Sequence, residues 1–195
     1  MDNEIEVIAN SFHAALVEIV GAENAYSYSR RFVPLSGAFT DVLYNFEGLA
    51  FFVYTTALNW HEYLNAELWK DVPNPHCVVF RDVLNAALGK IPLYRARGGI
   101  VFRGYRTENL NEFLKGYVPA TDIVFPGFTS AAFTEEHAFG GNVLFIIKAL
   151  TARAVWYVSA NFYEYEVLIP AGRTFHVRDV QRSAGRAAIL MDEIK

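Results

Sequence analysis

The sequence predicts an α+β domain, with helices packed on sheets, from three observations. Residues 3 to about 90 carry apolar side chains at helical spacing. After Gly98 and Gly99 the pattern changes to short β-branched and aromatic runs separated by turn residues. No internal repeat, low-complexity tract or long Gly/Ser linker interrupts the 195 residues. That length suits one domain and buries about 70% of the unfolded chain's surface, so no staple is required. A single domain 1–195 is therefore expected, with a helical part at 1–90 and a strand-rich core at 91–195.

Each element has its own signal. Ile5, Ile8, Ala9, Phe12, Ala15, Leu16 and Ile19 recur at i, i+3, i+4, i+7 and mark one helix face, with Gly21 as its stop. A second helical stretch covers 43–69 and is apolar on nearly every side over 49–58, which suggests a place near the centre of the core. Pro73 and Pro75 break it. A third helix is expected over 78–88, ending at Gly89. Strands follow at 100–105, 124–132, 142–149, 154–158, 164–169, 174–180 and 187–194. Pro170, Ala171 and Gly172 form a turn in which proline presets φ and glycine accepts positive φ.

Composition removes several function classes. The net charge of −4 argues against a protein that coats nucleic-acid phosphates, leaving room only for a local basic groove. An apolar fraction of 53% with 19% charged residues excludes a disordered chain. The lone Cys77 excludes an internal disulfide and any site of two thiolates, and fits a reducing compartment. His13, His61, His76, His137 and His176 are scattered, so no metal site is expected. The acidic start lacks the basic segment of a secretory signal. The longest stretch free of charge and histidine, 48–60, is thirteen residues. A membrane span needs about 20. Neither a G-x-G-x-x-G after a strand nor a G-x-x-x-x-G-K-[ST] is present, so the common nucleotide-binding loops are unsupported.

Four groups of residues can carry chemistry. Glu164 and Glu166 are two apart where a loop enters a strand. In extended chain they share a side at about 7 Å, and two such carboxylates disfavour each other's ionisation. One can stabilise developing positive charge while the other handles a proton or holds a cation. The plainer reading is two glutamates on the solvent face of an edge strand. Arg103 stands in an otherwise apolar strand, where it faces solvent or meets an anion such as phosphate. Gly104 beside it allows close approach to the backbone. Ser130 is a small hydroxyl that either orients a carboxylate or bonds a sugar, or is satisfied locally in the core. Phe139, before Gly140 and Gly141, either stacks on a flat ring or belongs to the core.

Taken in order, F-R-G at 102–104, F-T-S at 128–130 and E-Y-E-V-L-I-P-A-G at 164–172 resemble the R-S-E signature of the ADP-ribosyltransferases, in the arginine-specific, toxin-like branch with E-x-E. The resemblance covers about 93–180, with 78–88 matching a preceding helix. It implies an ADP-ribosyltransferase-like fold, two sheets meeting at an angle around a cleft for NAD, which is a substrate, with no metal. It implies that Arg103 binds NAD through phosphate or ribose and that the Gly104 backbone holds the nicotinamide amide. Ser130 would position the catalytic glutamate or the ribose. Glu166 would be that glutamate, stabilising the sugar cation as nicotinamide leaves. Glu164 would hold or deprotonate the acceptor guanidinium, Phe139 would pack on nicotinamide, and Phe162 and Tyr163 would meet the target. The chain departs from the family's S-T-S in having Ala131 and Ala132 after Ser130. Slower turnover is the expected result.

The implied function is mono-ADP-ribosylation of an arginine on a target protein. Alternatives are NAD hydrolysis with water as acceptor, transfer to another acceptor, or an NAD-binding module with weak turnover. The implied setting is a cytoplasm, reached by a leaderless route in the manner of a bacterial effector or phage enzyme. The helical part packs beneath the NAD site, or meets a target, immunity, activating or delivery partner. No membrane partner is expected, and nucleic acid is disfavoured by charge.

Overall fold

A computed structural model describes residues 2–32, 42–56, 60–156 and 166–195. The described residues form two compact units, one up to Ile91 and one from Pro92.

The first unit is helical: α1 (Asp2–Val20), α2 (Ala22–Arg31), α3 (Asn45–Tyr54), α4 (Trp60–Leu68) and α5 (Pro75–Lys90). Phe12, Ala15, Leu16 and Ile19 on α1 are buried as their spacing predicts, whereas Ile8, nearer the start, is exposed. Gly21 has φ 82°, and the chain turns by 119° into α2 instead of leaving the helical state. Only a residue at ease with positive φ makes so abrupt a junction.

The expected long helix over 43–69 is two helices. Thr55 and Thr56 end α3 by donating their hydroxyls to the carbonyls of Phe51 and Val53 at 2.8 and 2.9 Å. Such back-bonding competes with the helical ladder. α3 is buried on most sides, as its composition suggests. It also buries Glu47, which accepts from the Tyr44 amide at 2.8 Å and from Lys90 Nζ at 2.7 Å. This ion pair ties the start of α3 to the end of α5. The third helix is longer than the expected 78–88. Asn74 caps it by accepting from the His76 amide at 2.9 Å, and Pro75 occupies the first turn, where a missing N–H costs nothing. Gly89 lies inside α5, which stops at Ile91. Cys77 on α5 is buried, and burial pushes its thiol up to about 11, so it is packing and not a nucleophile.

The described residues of the second unit include eight strands and one α-helix: β1 (Ile100–Tyr105), α6 (Leu110–Leu114), β2 (Asp122–Phe125), β3 (Thr129–Ala132), β4 (Val143–Lys148), β5 (Arg153–Ala154), β6 (Glu166–Ile169), β7 (Arg173–Ser183) and β8 (Arg186–Ile194). The run read as one strand over 124–132 is broken by Pro126 and Gly127 into β2 and β3, which sit at distant places in the order β2-β7-β8-β4-β1-β3-β6-β5. β1 pairs with β4 along its whole length. It pairs with β3 only at Phe102 and Ala132. A five-strand sheet and a three-strand sheet are thus continuous through a single register pair. The core between them takes alternate residues of each strand, including Val101, Phe145, Ile147, Val167, Ile169 and Phe175.

Candidate active site

Strand pairing brings together residues far apart in sequence. In β3–β6, Ala132 lies opposite Glu166 and Ser130 opposite Leu168. Ser130 and Glu166 are therefore diagonal neighbours on one face. Ser130 Oγ donates to Glu166 Oε1 at 2.7 Å. Glu166 is 7% exposed, so its carboxylate is held in a low-dielectric setting where a fixed hydroxyl matters. Arg103 comes from β1, where it pairs with Phe145. Its Nη1 donates to the Ser130 carbonyl at 2.8 Å, a charge-assisted bond that fixes β3 from the opposite direction. Arg103 and Glu166 thus both bond Ser130, the first at its carbonyl and the second at its hydroxyl.

Aromatic side chains surround the strand of Arg103. Tyr117 lies near enough for the guanidinium to oppose the effect of burial, which pushes the phenol up to about 12. Phe113 stacks on Tyr105 at 4.9 Å and meets Phe145 edge-on at 6.3 Å, so α6 walls this side with aromatic rings. The two alanines that replace hydroxyls separate in role. Ala131 lies in the core of the unit. Ala132 faces Glu166. Only the second substitution removes a hydroxyl from the neighbourhood of the carboxylate.

Gly104 is required as glycine by contact. A Cβ there would stand 1.5 Å from the Phe139 carbonyl oxygen. The backbone at Phe139 therefore lies directly over the Gly104 position, while the Phe139 side chain is 74% exposed. The core reading of Phe139 is excluded by that exposure, and the ring stands open to a ligand or partner. We expect Gly104→Ala to cost about 1–3 kcal/mol, because backbone and not a flexible side chain must give way. A thermal melt checks this. A transition unchanged from wild type would show that the 138–141 segment yields freely. Glu164, Phe162 and Tyr163 lie outside the described residues.

Two features were not singled out from sequence. A cavity of about 440 Å³ lies beside Gly104 and Phe139 and runs to the β7–β8 hairpin, with Gln181, Arg182 and Arg186 on its wall. It does not include Ser130 or Glu166. The local signal for it is the Arg182 to Arg186 pair flanking a Ser-Ala-Gly turn. Buried Glu193 on β8 accepts from the Leu150 and Thr151 amides and pins the turn that leads into β5.

The fold is shared with solved structures. The type III effector XopAI from Xanthomonas axonopodis pv. citri superposes with a TM-score of 0.77 at 20% identity, over 96% of this chain and 88% of that one. The eukaryotic mono-ADP-ribosyltransferase ART2.2 gives 0.72 at 22% identity, over 99% and 88%. Exoenzyme S from Pseudomonas aeruginosa, solved with human 14-3-3 protein beta and bound to carba-NAD, gives 0.69 at 16% identity, over 95% and 88%. At these identities the likeness is one of fold. No curated protein matches the chain in sequence. The family model described as NAD:arginine ADP-ribosyltransferase matches residues 10–195. The chain belongs to the NAD:arginine ADP-ribosyltransferase family.

Proposed function

We propose that the chain cleaves NAD and transfers ADP-ribose to an arginine of a target protein, in the manner of an effector. The observation that carries the reading is the buried Glu166 carboxylate held by Ser130, with Arg103 bonded to the same serine residue. An anionic group fixed in a dry setting stabilises positive charge where it develops, without reorganising solvent at the moment of reaction.

The step needs no metal to activate the leaving group, because the nicotinamide ring of NAD is already cationic. The bond between the anomeric carbon and the ring nitrogen breaks, and its electron pair neutralises the ring. Glu166 stabilises the charge left on the sugar. Ser130 keeps the carboxylate aimed, and Arg103 serves the phosphate or ribose. By the family resemblance Gly104 holds the nicotinamide amide through its backbone, and the exposed Phe139 ring offers a stacking face. A guanidinium nitrogen of the acceptor then bonds to the anomeric carbon, and its proton passes to Glu164. Carba-NAD bound to Exoenzyme S, a protein of the same fold, supports NAD as the substrate.

The test is incubation with labelled NAD, with and without agmatine as an arginine mimic. Agmatine labelling is expected for wild type. Glu164→Gln should abolish that labelling and keep nicotinamide release. Nicotinamide release without labelled agmatine in wild type would replace the transferase by a glycohydrolase. Equal loss of both activities in Glu164→Gln would end the division of roles between the two glutamates.

A further inference from the structure

The cavity beside Gly104 and Phe139 continues into a second one of about 360 Å³, shared at Gly141, Asn142 and Arg186 and bounded by Arg106. Together they make an open groove from the candidate site to the tip of the β7–β8 hairpin. Three arginines line it, Arg106, Arg182 and Arg186, against one acidic residue, Glu135. The chain as a whole is at −4, so this groove reverses the local sign. All three arginines are exposed. None of the ion pairs among the described residues uses them. Arg182 Nη1 reaches only the neutral Asn111 Oδ1 at 3.4 Å. A groove of this sign, open to solvent, attracts an anionic partner and fixes its register.

Position in the sheet sets the reach an anionic partner needs. Glu166, Ala132, Phe102, Ile146 and Leu190 form one row across β6, β3, β1, β4 and β8, and Arg186 lies four residues along β8 from that row. Four strand spacings of about 4.8 Å and four residues of about 3.3 Å put Arg186 about 23 Å from Glu166 along the sheet, the span of about seven extended residues. Neither Ser130 nor Glu166 lines the groove, and its arginines stand exposed at the hairpin end, within reach of an extended segment of an acceptor whose arginine lies at Glu166. We propose that this groove docks an acidic segment of the acceptor protein, about seven residues from the arginine that is modified. The inference rests on the transferase reading and adds a specificity surface to it.

The test uses two rhodamine-labelled peptides on the full chain. One carries an arginine followed about seven residues later by a run of glutamates. The other has glutamines in their place. Fluorescence anisotropy should show the acidic peptide binding about tenfold tighter at low salt, with the preference lost at high salt. The double variant Arg182→Gln, Arg186→Gln should erase the preference and leave agmatine labelling and the NAD requirement unchanged. Equal binding of both peptides by wild type, or a preference that survives in the double variant, would overturn the proposal. A raised NAD requirement with agmatine in that variant would overturn it too, by assigning the groove to the phosphates of the cofactor. Acidic-peptide preference in a chain that labels no agmatine would keep the docking surface and remove the transferase reading, so the two fail separately.

Discussion

Glu166→Gln is expected to lower both nicotinamide release and agmatine labelling by about 10²- to 10³-fold, with little change in thermal stability. The substitution keeps shape and keeps an oxygen able to accept from Ser130 Oγ, now at 2.7 Å. What it removes is the negative charge. A carboxylate that is 7% exposed carries a desolvation cost, and replacing it with a neutral amide relieves that cost while leaving the pairing of β6 with β3 intact. Stability and activity therefore part company at this position, which is the mark of a group held for chemistry. Calorimetry beside the NAD assay reads both. Retained nicotinamide release would remove Glu166 from the reaction. A collapsed melting transition with lost activity would make it a structural glutamate.

The split between what sequence revealed and what it concealed follows the range of each signal. The face of α1, the all-round burial of α3 and the strands β1, β4 and β8 were legible because periodicity is local. Arg103, Ser130 and Glu166 were legible as a set only through their order along the chain. No spacing rule predicts that a serine and a glutamate 36 positions apart share a hydrogen bond, since that depends on the register of β3 against β6. The errors in the helical part came from residues with two meanings. Gly89 and Pro75 resemble helix breakers, yet one lies inside α5 and the other starts it. Gly21 ends α1 and also begins α2. The single strand expected over 124–132 failed because Pro126 and Gly127 separate segments that pair with different partners, β7 and β6. The arginine groove showed in sequence only as the Arg182 to Arg186 pair, because its wall combines the end of β1, the segment before β4 and a distant hairpin.

The same non-local logic gives the largest expected effect on stability, at Glu193. This residue is 3% exposed and does not belong to the candidate site. Its carboxylate accepts from the Leu150 amide at 2.6 Å, the Thr151 amide at 2.8 Å and the Thr151 hydroxyl at 2.5 Å, with Arg173 Nε at 3.9 Å. Three donors and a guanidinium thus converge on one buried anion. Alanine would leave two backbone amides orphaned and a cation without its counter-charge, so Glu193→Ala is expected to cost about 3–5 kcal/mol. For a chain of this size, that lowers the melting temperature by roughly 10 °C or more. Glutamine should do less damage, because one oxygen still accepts while the amide nitrogen opposes the remaining donors. The effect should also reach the candidate site through the chain. Glu193 fixes the turn that enters β5, β5 pairs with Leu168 and Val167 of β6, and the next residue of β6 is Glu166. Nicotinamide release in Glu193→Ala should therefore fall in step with the folded fraction measured by urea titration. A melting temperature close to that of wild type would show that water satisfies the turn, and that β5 holds β6 without help from β8.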